Sequence, residues 1–294
     1  MSFAPIDLAS LPAPAVVQSW GFDAIVTARL ADFTARMAAA GVPYDTSALE
    51  SEPAVKLQET GAYREGLVYQ RINEAALATM LAYAAGPDLD QVAAAMNTVR
   101  ASGENDPSLR RRAQLAWEAL SLGGSYGGYR WKALTADPVG LQDVAVYGGE
   151  VAGVAAGEVR IVCLGAGASG APAPASLAAV AAAFPRSRRK VNDLITVRAA
   201  NPVPWSVDAT LILADGADPT AVVATQTAAL IAFAAARKTI GGSVSPGAVG
   251  AVLGFNAAAL VYDVVVRQPS AIVGGGPFDA PIYTGARIVW SRRT

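Results

Sequence analysis

Histidine is absent from the 294 residues, and cysteine occurs once, at Cys163. Without histidine the chain lacks the commonest general base near neutral pH, the usual Ser and Cys triads, and most zinc sites. One cysteine excludes an internal disulfide and any multi-cysteine metal site. Cys163 sits in Val159-Arg-Ile-Val-Cys-Leu164, a strand-like run, and reads as a buried, inert thiol. Charge is scarce as well. Asp, Glu, Lys and Arg make up 16% of the chain, against about 25% in an ordinary soluble domain. Hydrophobic residues make up 53%, and the mean hydropathy is +0.33. A net charge of −1 gives no reason to expect a nucleic-acid or anionic-membrane partner.

Long apolar runs are also missing. A membrane-spanning helix needs about 20 mostly apolar residues. The best candidates, 171–184 and 221–236, are alanine-rich; the first contains Pro172 and Pro174, the second Thr225, Gln226 and Thr227. No basic region precedes an apolar core at the N-terminus, where Asp7 is the first charge, so a secretory leader is not expected. A chain with too little polar surface to cover itself and no spanning segment is expected to hide surface against partner subunits.

What is present begins with an arm. Pro5, Pro12 and Pro14 punctuate apolar residues 1–18, which reads as an extended segment. A helix is predicted over 22–40, ending at Gly41 with Pro43 beyond. Ser51-Glu-Pro53 has the form of a helix start, with Ser51 as cap. Helical pattern then runs to Ala85, where Gly86-Pro87 stops it. Residues 52–85 as one helix would span about 50 Å. Val55, Ala62, Tyr69, Ile72, Ala76, Met80 and Tyr83 fall on one face of it, an apolar stripe that calls for a partner helix and marks these seven as the candidate subunit interface. Gly61 and Gly66 weaken the helix locally, so a break or a close helix contact is expected there.

Shorter helices are predicted over 88–96, from Asp106-Pro107 to Gly123-Gly124, with Asp106 as cap, and over 128–135. Beyond Asp137-Pro138 the pattern alternates: strands at 144–146, 158–164, 191–198, 207–213, 261–267 and 286–290, helices at 176–183, 219–237 and 246–253. The fold class is α+β: an N-terminal extended arm and long helices, then one or two small α+β modules with mixed or antiparallel sheets. The expected division is arm and helix to 48, a long-helix bundle segment 49–104, a central α+β domain 105–200 and a C-terminal α+β domain from 201, with the break near Asn201-Pro-Val-Pro204.

Three kinds of motif invite a chemical reading: a glycine loop, two basic runs and two acidic pairs. Gly165-Ala-Gly167-Ala-Ser-Gly170 follows a strand and matches the dinucleotide pattern G-x-G-x-x-G, which makes a nucleotide-binding oxidoreductase the alternative function. That mechanism needs a helix to start inside the glycine run, and Pro172 and Pro174 intervene. Arg186-Ser-Arg-Arg-Lys190 and Arg110-Arg-Arg112 read as solvated basic patches or contacts to an acidic neighbour. Glu50/Glu52 and Asp88/Asp90 lie where carboxylates cap helix N-termini, not where a metal is held. No catalytic residue, cofactor or metal site is expected.

One set of matches runs in order along residues 5–145: Leu11-Pro-Ala-Pro14; Leu49-Glu-Ser-Glu-Pro-Ala-Val-Lys-Leu57; Ala62-Tyr-Arg64; Gln70-Arg-Ile-Asn-Glu-Ala75; Met80-Leu81; Ala84-Ala-Gly-Pro-Asp-Leu-Asp90. It continues through Asp106, Leu109-Arg110, Leu120-Ser121, Gly124-Ser125, Tyr129, Ala136-Asp137, Val139 and Asp143-Val144. Together these resemble the J-type baseplate wedge protein of contractile-tailed phages and related tail-like particles. From 146 to about 255 the agreement is one of pattern alone, and Gly274-Gly-Gly276 with Pro277–Pro281 has no counterpart in it. The resemblance implies a non-enzymatic wedge subunit of the tail baseplate, assembled in the bacterial cytoplasm. It implies that two copies join one I-type tail protein through N-terminal helices, that six wedges ring the central hub, and that other baseplate and hub proteins are neighbours. Carried onto this chain, residues 50–90 would be the inter-chain bundle and the α+β modules the ring-forming part.

Overall fold

The computed structural model describes residues 6–44, 51–120, 124–189, 192–255 and 261–292. The chain divides into two units, Pro5–Val99 and Arg100–Thr294.

The first unit is helical. Helix α1 (Phe22–Ala39) and helix α2 (Pro53–Ala78) pack as an antiparallel hairpin, followed by α3 (Gly86–Ala95). Glu52, not Ser51, caps α2, its carboxylate accepting from the Ala54 N–H, with Pro53 in the first turn, where its missing donor costs nothing. The helix stops at Ala78, short of the expected Ala85. The Thr79 hydroxyl donates to the Ala76 carbonyl and the chain turns through Met80–Ala84. Gly86-Pro87 therefore opens α3 and does not close α2. Gly61 and Gly66 do not break α2, which is continuous.

The second unit holds two mixed sheets. In the first, β1 (Leu141–Tyr147) runs antiparallel to β2 (Glu158–Gly165), and β2 runs parallel to β3 (Leu194–Ala199). Helix α4 (Asp106–Leu115) leads through a 3-10 turn (Ala116–Leu120) towards α5 (Tyr126–Ala136), while α6 (Pro174–Ala183) is the β2–β3 crossover. Leu115, Leu134, Leu141, Ile161, Cys163, Val180 and Phe184 form the core between this sheet and its helices. Burial, with Asp143 nearby, pushes the Cys163 thiol up to about 12, as an inert thiol requires. Asn105, not Asp106, caps α4. Helix α6 begins at Pro174, earlier than expected, because proline fits the first turn.

The second sheet has the order β6-β4-β8, with β4 (Asn201–Leu213) central, β6 (Val261–Gln268) antiparallel to it and β8 (Asp279–Arg292) parallel. A two-stranded pair, β5 (Ser243–Val244) and β7 (Val273–Gly274), sits beside it. Helices α7 (Pro219–Arg237) and α8 (Pro246–Phe255) cover one face. Asn201–Pro204, where the division between two modules is expected, forms the first stretch of β4, in register with Asp279–Ile282. Prolines 202 and 204 are tolerated because β6 pairs with β4 only from Asp208 onward, so this stretch has one open edge. By length and composition the 19-residue α7 could cross a membrane. In the fold its Val222, Gln226, Leu230 and Ala234 lie on the sheet as core.

Two predictions follow from this packing. Gln226 is fully buried, and its side-chain oxygen and nitrogen have no partner among the described residues. Gln226→Met, similar in shape, removes that penalty and is expected to raise stability by about 1–2 kcal/mol, read as a higher denaturant midpoint at unchanged slope. Glu158 accepts from Arg160, Thr196 and the Ala155 N–H, and the Arg160 guanidinium foremost holds its carboxyl down at about 2. A depressed carboxylate stabilises above its unfolded value of about 4.5 and loses that contribution as pH falls through the folded value. The stability gap between the native chain and Glu158→Gln should thus close between pH 4.5 and 2 in acid titrations followed by circular dichroism.

Candidate functional site

Helix α2 carries two apolar faces. One, with Val55, Ala62 and Gly66 buried and Tyr69 half-buried, lies against α1 and the arm that precedes it. The contact is anchored at three levels. Arg29 pairs with Glu65 at 3.1 Å. Trp20 lies on Gly66, where a Cβ would come within 2.5 Å of the indole ring. The Gln18 backbone exchanges two hydrogen bonds with the Asn73 amide, at 3.0 and 2.8 Å. Gly61 makes a similar notch for the Arg29 guanidinium. The expected close contact at the two glycines is there, and the break is not. An open groove of about 630 Å³ remains between α1 and α2, bordered by Trp20, Ile25, Phe33 and Tyr69.

Of the seven expected interface residues, Val55 and Ala62 are thus consumed within the chain's own hairpin, with Tyr69 and Ala76 half-buried. Ile72 is exposed, and Met80 and Tyr83 lie beyond the end of α2, so they do not continue its stripe. The opposite face of α2 was missed. Leu57, Tyr63, Leu67, Val68 and Ile72 are 69%, 60%, 46%, 58% and 54% exposed. The signal for it is the row 57-64-71 flanked by 60, 67, 68 and 75, a heptad pattern that Arg64 and Arg71 interrupt. Helix α1 does not complete a core for this pair: none of its 18 residues is buried.

The other motifs resolve into internal structure. Arg112 of the basic triplet forms a buried pair with Glu104 at 2.6 Å, and Arg111 donates to the Gln142 carbonyl; neither belongs to a solvated patch. In the second run, Arg186–Arg188 form a 3-10 turn; Lys190 lies outside the described residues. Glu50 does too, while Glu52 caps α2 and Asp88 sits in the first turn of α3.

The glycine loop differs from a phosphate cradle. The Gly165 N–H donates to the Gly170 carbonyl, the Gly170 N–H to Gly167, and the Ala166 N–H to Gly140. The carbonyls of Ala166 and Gly167 face outward onto the Lys238 ammonium at 3.1 and 2.7 Å. A pyrophosphate needs free N–H groups at a helix start, and α6 starts only at Pro174. Among the described residues no cluster of three or more Cys, Asp or Glu could hold a metal ion.

The helical region just described coincides with the residues matched by one family. Residues 50–103 match the Baseplate J-like N-terminal domain. The whole chain is 34% identical to baseplate protein J of Escherichia phage P2 over 307 aligned residues, which cover 97% of each protein. The chain belongs to the baseplate J family. Membership places it among structural proteins of the phage tail baseplate. In the baseplate J fold seen here, the matched segment comprises α2, α3 and the exposed apolar face.

The notches make a paired prediction. Alanine favours a helix over glycine by about 1 kcal/mol. Gly61→Ala meets only the flexible end of Arg29 and should stabilise the first unit. Gly66→Ala meets the rigid Trp20 ring, so the clash should outweigh the propensity gain and release residues 14–21 to faster limited proteolysis.

Proposed function

We propose that this chain is a non-enzymatic wedge subunit of the baseplate, built into a heteromeric helical bundle through α2. Membership of the baseplate J family supports the structural role. The observation that carries the bundle is the second apolar face of α2, which nothing in its own hairpin covers. In this reading two copies join one I-type tail protein through residues 50–90, and six such wedges form the ring around the hub. The α+β unit makes the contacts between wedges, with the central and C-terminal sheets as its two modules. Assembly takes place in the bacterial cytoplasm, before the tail is complete.

Magnitudes favour a bundle of more than two helical elements. Covering five half-exposed side chains yields on the order of 5 kcal/mol, while association costs about 4–15 kcal/mol. The α2 face alone is therefore too small for a tight binary contact. The exposed Trp20, Phe22 and Tyr83 extend the area available to a third element.

Light scattering on the chain purified alone and after co-expression with the I-type tail protein tests the proposal. A stable complex of the two is expected, with Leu67→Asp weakening it because an unpaired carboxylate at an apolar contact costs several kcal/mol. A chain that stays monomeric in both conditions sinks it.

A further inference from the structure

The first sheet ends on an open strand. Its order is β1-β2-β3, and β3 pairs only with β2 among the described residues. The Leu194 N–H donates to the Gly157 carbonyl and the Ala200 N–H to the Cys163 carbonyl, so alternate positions from Leu194 onward face β2. Ile195 and Val197 therefore turn their N–H and C=O groups to the outer side. No described residue bonds to them there. An edge of this kind is a template for another strand.

A groove lies beside these open groups. As the crossover between parallel strands, α6 runs opposite to β3, so Phe184 at its end lies near the start of β3. Leu177, Ala181 and Phe184 border an open groove of about 340 Å³ on the helix side, and Ile195 and Val197 border it on the strand side. Arg189, in the turn that leads into β3, completes the border and is its one charged member. This half-buried guanidinium forms no ion pair among the described residues, and the carboxylate of Asp193 is engaged by the Tyr129 hydroxyl. Lys132 adds a second cation, its ammonium 4.9 Å from the centre of the Phe184 ring. The groove thus offers apolar room along β3 and uncompensated positive charge at one end.

Charge selects the occupant. A second copy joined edge to edge about a two-fold axis pairs its β3 antiparallel to the first. That sets Arg189 by the start of the other copy's α6, which has no acidic residue in its first turn and carries the positive end of the helix dipole. Self-pairing therefore leaves the guanidinium against like charge. We propose that the free edge of β3 takes an extended segment of a different protein as an added antiparallel strand, apolar at every second residue and acidic at its C-terminal end. The main chain of that segment bonds to Ile195 and Val197, its apolar side chains enter the groove beside α6, and its carboxylate side chain pairs with Arg189. The antiparallel direction is the stronger pairing, and it brings the C-terminal end of the segment to Arg189. The contact lies in the second unit and is separate from the helical bundle built on α2.

The test uses the full chain and synthetic peptides of about six residues, the length of a typical strand. Their ends are acetylated and amidated, valine stands at every second position, and Glu or Lys stands at the C-terminal end. Fluorescence anisotropy should show the Glu peptide binding at least about tenfold tighter than the Lys peptide, with the gap narrowing as salt is raised. Methylating the alternate peptide N–H groups that face β3 should abolish binding, while methylating the others leaves it unchanged. Arg189→Glu should reverse the preference, with circular dichroism confirming that its fold persists. Equal binding of both peptides, binding of neither, or binding indifferent to the methyl groups overturns the proposal. So does tighter binding of a peptide with Glu moved to its N-terminal end. Self-association of the chain that excess Glu peptide competes away assigns the edge to a second copy and likewise overturns it.

Discussion

The constraint on which the first unit depends is that one helix has two faces to bury and its chain provides cover for one. Helix α2 spends Val55, Ala62 and Gly66 on its own hairpin, where Trp20 and Arg29 fit the two glycine notches. A pair of helices encloses little volume, which is why α1 has no buried residue at all. The uncovered apolar surface is therefore a consequence of the architecture. A subunit whose helical unit is completed by neighbours is the physical form expected of a structural part of an assembly.

The second unit encloses its cores between its sheets and their helices. Its two sheets are tied together by polar groups that would be costly to bury alone. Asp143 accepts from Arg130 at 2.6 Å and from the Ile240 N–H at 3.1 Å, linking β1 to the chain after α7. Tyr147 packs edge-on against Phe278 and donates to the Pro277 carbonyl. Lys238 closes the glycine loop, and Ile282 occupies the space that a side chain at Gly170 would fill. The glycine motif is thereby explained by packing: Gly170, at φ +70°, lets the loop turn tightly beneath β8. Together these contacts join the two sheets into one body.

Much of this was legible in the residues. Proline at helix starts located α2, α7 and α8 to within a few positions, because proline's fixed φ and missing donor suit few other places. The absent histidine, the single cysteine and the prolines after Gly170 argued against enzyme chemistry. The ordered run of motifs from Leu11 to Val144 pointed to the baseplate J family, which the relative from phage P2 then established. Where sequence reasoning went astray, long-range contacts decided. Thr79 ended α2 early, Asp279–Pro281 extended β8 past its apolar stretch by pairing with Asn201–Val203, and Glu104 drew Arg112 into the interior.

The interface shows the division most clearly. Composition and periodicity by themselves determined that surface had to be hidden and that α2 carried an apolar stripe from Val55 onward. They could not say which stripe was already taken, since a helix with apolar residues on two faces offers both equally until its neighbours are placed. Only the tertiary structure, by seating Trp20 on Gly66 and Arg29 beside Gly61, assigned the Val55 face to the chain itself and left Leu57, Leu67, Val68 and Ile72 exposed.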